Sequence, residues 1–142
     1  MIVPEWAGPY MGLPYRDKGR TREGFDCWGL VRQVLLDVAG LELPDYSGAY
    51  ASAQDGASVA AAVAAGLRDG WQRVSDPRPL DLLILRVAGR PWHCALMVNA
   101  TMFLHVPPPR EDGLAIDSCV ERLDSPVWSS RIIGLYRREV HG

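Results

Sequence analysis

The sequence predicts an α+β fold, with N-terminal helices packed on an antiparallel sheet of about five strands. Three observations carry this. Cys27, Leu30, Val31, Val34, Leu35 and Val38 recur at helical spacing, and Gly40 stops the run. The alanine-rich stretch 55–69 reads as a second helix ended by Gly70. From residue 82 onward, short apolar runs alternate with Gly and Pro punctuation, the pattern of sequential strands joined by turns.

Taken in order, residues 1–25 are rich in Pro, Gly and Arg and read as a long loop with one helical turn near 6–10. Asp26 is an N-cap residue type, which places Cys27 in the first turn of the helix that follows. Residues 41–54 hold Pro44, Tyr46 and Ser47 and read as a loop. A strand over 82–87 follows the Pro77-Arg78-Pro79 turn, and Gly89-Arg90-Pro91 makes the next turn. Strands are expected over 93–99 and 102–106, then Pro107, Pro108 and Pro109 break the pattern. Further strands are expected over 115–120 and 131–137. No repeat, low-complexity tail or linker interrupts the chain, so residues 1–142 read as one domain.

Composition narrows the function. Hydrophobic residues make up 48% and charged residues 23%, enough apolar material for a core and no signature of disorder. A net charge of −2 leaves no basic footprint for nucleic acid. Arg16, Arg20 and Arg22 cluster, but Asp17 and Glu23 are interleaved, so the segment reads as a solvated loop. The start, Met1-Ile2-Val3-Pro4-Glu5-Trp6, has neither a basic region nor an apolar one, so no secretory signal is read there and synthesis in a cytoplasm is expected. No apolar run approaches the roughly 18 residues of a membrane span. Cys27, Cys94 and Cys119 form an odd count in a chain read as signal-less, which favours reduced thiols over a disulfide framework.

A thiol is a nucleophile only as thiolate, and its unperturbed pKa is ~8.5. A helix start lowers that value through unpaired N–H groups and the macrodipole, and Cys27 is the cysteine placed to gain this. By position alone, Cys27 reads equally well as a small buried core residue. Of the three histidines, His141 is penultimate and expected to fray. His93 begins one expected strand and His105 lies near the end of the next. In a hairpin the two imidazoles meet near one sheet edge, and a helix packed on the sheet brings Cys27 there. That is an arrangement of nucleophile, base and orienting group; the competing reading is two half-buried strand histidines. A zinc site from Cys27, His93, Cys94, His105 and Cys119 is also conceivable. Against it, no Cys-x₂₋₄-Cys or His-x₃₋₅-His spacing occurs, and His93 and Cys94 point to opposite faces of a strand. Cys94 and Cys119 are therefore read as core thiols, and neither metal nor cofactor is expected. Gly-x-Ser-x-Gly, His-Glu-x-x-His and P-loop motifs are absent.

Several blocks resemble a known family. Gly12-Leu13-Pro14-Tyr15 and Gly24-Phe25-Asp26-Cys27-Trp28-Gly29-Leu30-Val31 are similar to the nucleophile region of the NlpC/P60 family. Pro79-Leu80-Asp81-Leu82 resembles its Pro-Gly-Asp-Leu. His93-Cys94-Ala95-Leu96-Met97-Val98 and Phe103-Leu104-His105-Val106 resemble its next two strands. The resemblance implies a circularly permuted papain-like fold and a cysteine peptidase or amidase that cuts peptidoglycan stem peptides. It implies Cys27 as nucleophile, His93 as base and His105 as orienter, with Tyr15, Asp26 and Trp28 beside the substrate. The oxyanion would be held by the Cys27 backbone N–H and a nearby donor.

Trp28 stands where the family commonly has Ser, and Leu80 and Ala95 where it has Gly. Trp28 and the ending Trp128 … Arg131-Ile132-Ile133-Gly134-Leu135-Tyr136-Arg137 look like the branch found in phage tails and gene transfer agents. That likeness implies tail-hub or tail-tip partners and action in the periplasm or cell wall after delivery by the particle. Two other functions fit the same residues: a thiol amidase or acyltransferase of the same fold acting elsewhere, and a catalytically idle structural subunit of a tail.

Overall fold

Helix α1 spans Cys27–Ala39, where the apolar spacing places it. The Asp26 side chain accepts the Gly29 N–H at 2.8 Å and closes the N-terminus. Gly40 takes the left-handed conformation (φ 66°) and caps the C-terminal carbonyls, with its N–H directed at Leu35 and Leu36. The buried face, Leu30, Val31, Val34 and Leu35, packs on Leu82, Ile84, Leu96 and Leu104 of the sheet. The computed structural model describes residues 3–52, 55–87, 89–110 and 112–138; His141 lies outside them.

The strands of the main sheet are β3 (Gln72–Val74), β4 (Leu82–Val87), β5 (Arg90–Met97), β6 (Met102–His105), β7 (Cys119–Arg122) and β8 (Ile132–Arg137). They form one antiparallel sheet in the order β3-β8-β4-β5-β6-β7. The fold is thus α+β, with one more strand than the expected five or so. The addition is β3, a polar three-residue edge strand too short to leave a period. Helix α2, Gly56–Leu67, buries only Val59, which packs with Trp92 of β5. Among the described residues no helix is long and apolar enough to cross a membrane.

Three local expectations are corrected. The segment read as loop has its expected helical turn, a 3₁₀ turn at Glu5–Tyr10, but also a small hairpin that was not expected, β1 (Arg20–Thr21) with β2 (Gly24–Phe25). Strand β5 begins at Arg90, so Arg90 and Pro91 belong to the strand. Strand β7 starts at Cys119, because 115–118 is irregular and Ile116 is exposed.

Two contacts set the site. A Cβ on Gly29 would meet the Gly19 carbonyl oxygen at 2.1 Å, so only glycine lets the β1–β2 hairpin press on the first turn of α1. Ser118 ties the N-terminal segment down: its hydroxyl accepts the Leu13 N–H at 2.9 Å and donates to the Tyr10 carbonyl at 2.6 Å. Tyr15 is thereby held beside β2, where it bridges to Phe25.

Candidate active site

Cys27 is the first residue of α1 and is buried. Its N–H belongs to the helix-start donors that lack an intrahelical partner. Asp26 fulfils its expected cap role, and both its oxygens are engaged within the protein. Oδ1 accepts Gly29 N–H and the Arg20 guanidinium at 2.7 Å, while Oδ2 accepts the Tyr50 hydroxyl. With Asp26 only 1% exposed, its carboxylate anchors the helix start and is not open to a substrate. Arg20 also reaches Asp45 at 3.1 Å and the Tyr50 oxygen at 2.6 Å. The solvated-loop reading is therefore wrong for Arg20, whose side chain is 12% exposed.

The Cys27 thiol is drawn below its ordinary pKa by hydrogen bonding with Cys94, and next by His93, against burial that pushes it up. Cys94 moves the opposite way, raised well above its ordinary value by the same bond and by burial. The same bond thus moves the two thiols in opposite directions, Cys27 down and Cys94 up. Cys94 is a core thiol, as expected, but one that touches the candidate nucleophile.

His93 and His105 meet as the hairpin argument requires. The β5–β6 ladder stops at Leu96↔Leu104, and beyond it His93 Nε2 lies 2.7 Å from His105 Nδ1. The other nitrogen, His93 Nδ1, is buried and makes no hydrogen bond of good geometry. Burial pushes the His93 pKa down, and the adjacent Cys27 is the main influence raising it. His105 is likewise lowered by burial and partly restored by Glu121.

Two residues beyond the expected set complete this chain. Glu121 accepts from His105 Nε2 and, at 2.8 Å, from the Trp128 indole N–H. The hydrogen bond from His105 holds its carboxyl below the usual range, with burial opposing. Trp128 stacks on His93 (centroids 5.5 Å, 26°) and stands edge-on to His105 at 5.1 Å. Glu121 shares a face with Cys119 by strand alternation, but the expected strand over 115–120 ended one residue before it.

Tyr15 sits close enough to Cys27 and Asp26 for their charges to raise its pKa, after burial and Asp17, and its buried hydroxyl has no partner. Trp28 donates to the Pro44 carbonyl at 3.0 Å and packs against Tyr46. With Tyr46, Val63, Trp71 and Trp92 it lines an apolar cavity of about 50 Å³ that also touches Cys27 and Cys94. Among the described residues one group has metal-ligand proximity, His105, Cys119 and Glu121, with ligand atoms within 4.8 Å. Its imidazole and carboxylate are already hydrogen-bonded to each other.

A helix-start thiol with a lowered pKa, an imidazole beside it and a second imidazole behind the first are groups of the kind that thiol-dependent acyl transfer uses. The NlpC/P60 family model matches residues 12–137, and the chain belongs to that family. It is 32% identical over 111 residues to Protein P54 of Enterococcus faecium, covering 78% of this chain and 18% of that protein. It is 28% identical over 130 residues to the murein DD-endopeptidase MepS/murein LD-carboxypeptidase of Escherichia coli K12, covering 92% of this chain and 57% of that protein. The chain thus spans less than two thirds of either relative. A Staphylococcus aureus NLP/P60-family protein, described as similar to a lipoprotein, superposes with TM-score 0.64 at 27% identity, over 97% of this chain and 40% of that one. The NlpC/p60 domain of the peptidoglycan hydrolase SagA superposes at 0.59 and 21% identity, over 94% and 93% of the two chains, a likeness of fold.

Proposed function

We propose that this domain is a cysteine peptidase that hydrolyses peptide bonds in peptidoglycan stem peptides. The observation that carries the reading is the orientation of His93, whose Nε2 is tied to His105 while Nδ1 is left beside the Cys27 thiol. In the proposed reaction Nδ1 takes the thiol proton and the thiolate attacks the scissile carbonyl carbon. The oxyanion accepts hydrogen bonds from the Cys27 N–H and the Tyr15 hydroxyl. Collapse expels the amine, which receives the proton from His93, and leaves a thioester on Cys27. His93 then deprotonates water, whose attack releases the acid and restores the thiol. The name of the Escherichia match, a murein DD-endopeptidase and LD-carboxypeptidase, supports a murein substrate by relationship.

The setting we propose is a phage-like tail, with tail-hub or tail-tip proteins as partners and the cell wall as the place of action. It rests on the likeness of Trp28 and the 128–137 segment to that branch. The apolar cavity beside Cys27 favours a second reading, a thiol amidase or acyltransferase for a less polar acyl group. Product analysis on wall fragments separates the two.

The test is release of new amines from purified stem peptides, with circular dichroism checking each variant's fold. Cys27→Ala should lower turnover by at least about 10³-fold while leaving the protein folded. His93→Ala should cost nearly as much, because nucleophile and base act as a unit. His105→Ala should cost less, since His93 still samples the productive tautomer. Wild-type turnover in Cys27→Ala would overturn the assignment. A wild-type protein that cuts no wall preparation yet binds tail proteins would favour an idle subunit.

A further inference from the structure

Proton placement along the buried chain can be counted from its far end. The indole N–H of Trp128 can only donate, so Glu121 Oε2 accepts it. The same oxygen faces His105 Nε2, so that nitrogen carries a hydrogen. A neutral His105 with its proton on Nε2 has a lone pair on Nδ1. That lone pair accepts across 2.7 Å from His93 Nε2, which must then carry the His93 proton. His93 Nδ1 is left as a lone pair beside the Cys27 thiol. The opposite set of tautomers would point a His105 lone pair at a carboxylate, which is repulsive unless Glu121 is protonated. A carboxylate two strands away thus decides which nitrogen of the candidate base is basic.

We propose that Glu121, clamped by Trp128, is a positioning residue that fixes the tautomers of His105 and His93 and balances the imidazolium formed during turnover. The proposal rests on the reading that Cys27 and His93 perform the chemistry. Strand register supports it: His105 pairs with Cys119 and Phe103 with Glu121, so Glu121 sits diagonally across from His105 on the same face. Trp128 shields the chain on one side through its stacking on His93. The charged groups nearby are few. Arg122 is paired with Asp124 at 2.8 Å, Arg131 lies over the Trp128 ring at 5.4 Å, and Cys119 is a neutral thiol pushed up to about 11 by burial. Cys27 faces the His93 end of the chain, and among the described residues Glu121 is the carboxylate in direct contact with its His105 end.

The experiment combines nitrogen-15 NMR of the imidazoles with pH–rate profiles for wild type, Glu121→Gln and Trp128→Phe. In the wild type, both histidines should show the Nε2–H tautomer. Gln keeps the size and can either donate or accept, so Glu121→Gln should show mixed tautomers. It should lower kcat by roughly 10- to 100-fold, as losing the partner that orients a working imidazole does in metal sites, and leave KM unchanged. The acidic limb of kcat/KM, set by protonation of the base His93, should move to lower pH by about one unit, because the imidazolium loses its counter-charge. Trp128→Phe keeps the stack and removes the N–H, and should move each quantity the same way by less. Unchanged tautomers and unmoved limbs in Glu121→Gln overturn the proposal, as they do in Trp128→Phe if Glu121→Gln fails to fold. The NMR readout needs no turnover, so an inactive wild type would count against the peptidase reading while leaving the tautomer question answered.

Discussion

Two buried polar networks meet at Cys27, and they are built on different plans. The network behind the helix start is closed. Asp26 has both oxygens occupied, and Arg20 spends its donors on Asp26, Asp45, the Gly19 carbonyl and the Tyr50 oxygen. The network across the sheet is directional. It runs from Trp128 through Glu121, His105 and His93, and ends on a nitrogen without a good protein partner. The closed set fixes where the thiol stands. The open set leaves one lone pair for a proton that moves. Buried polar groups are normally satisfied; among the described residues His93 Nδ1, the Tyr15 hydroxyl and the Trp92 indole N–H are not, and the first two are the groups the proposed reaction would use.

The largest effect expected from this contrast is on stability, at Asp26. Asp26→Ala removes the cap of α1 and strands the Arg20 guanidinium among buried neighbours. Breaking a buried ion pair from one side costs about 3–5 kcal/mol, read as a lowered urea midpoint. Asp26→Asn keeps an acceptor for Gly29 and should lose less. A loss under about 1 kcal/mol in Asp26→Ala, the size of an exposed pair, would show that water already reaches this network and would break the contrast.

The two networks were also unequally legible in the sequence. Asp26, Cys27, His93 and His105 could be placed because helix spacing and strand alternation act over a few residues; Asp26, Cys27 and His105 sit at element ends, while His93 lies inside β5. Arg20 could not, since its charge-balanced surroundings look solvated and the groups that bury it, Asp45 and Tyr50, lie 25 and 30 residues away. Glu121 lay one residue past the expected strand over 115–120, which was placed too early because the exposed Ile116 looked like part of it. Trp128 follows β7 in a stretch with no period. Residues that work through long-range register leave no local trace, whereas residues that open an element do. The hairpin β1–β2 was missed for the same reason: each strand is two residues long, and what holds it is the close approach to Gly29.

An intermediate effect should come from acid. Burial lowers the pKa of both His93 and His105 in the folded protein, so below their ordinary value of 6.5 the unfolded chain takes up protons that the native state resists. Their contribution is complete above that pH and is lost as pH falls. Glu121, also lowered, contributes above its ordinary 4.5 and loses that contribution as pH falls further. Stability should therefore drop on acidification from pH 7.5 in two stages. The slope is at most about 1.4 kcal/mol per pH unit for each histidine that stays neutral. His105→Gln should flatten the first stage. A denaturation midpoint that stays constant between pH 7.5 and 5.5 would mean that the directional network is open to water, and the two regions would no longer differ in kind.

The smallest effect lies outside both networks and separates backbone strain from polar pairing. Leu80 stands at φ 72°, in the left-handed region, where the family resemblance has glycine. The turn is held around it: its N–H bonds to the Met97 carbonyl at 2.8 Å, and the next residue, Asp81, pairs with Arg137 at 2.6 Å. A non-glycine residue there costs roughly 1–2 kcal/mol, and the Leu80 side chain recovers part of this by packing on the core. Leu80→Gly relieves the strain but loses that packing, and its freer unfolded chain disfavours folding by a further 0.4–1 kcal/mol or so. The net change should be within about 1 kcal/mol. Leu80→Ala loses the packing and keeps the strain, so it should be the less stable of the two by up to about 1.6 kcal/mol, the strain less the unfolded-chain difference. Turnover should be unaffected in both, because neither network contains this residue. If Ala were clearly more stable than Gly here, the turn would have relaxed out of the left-handed region, and the conformation at Leu80 would be set by its side chain instead of by the bonds of Met97 and Asp81.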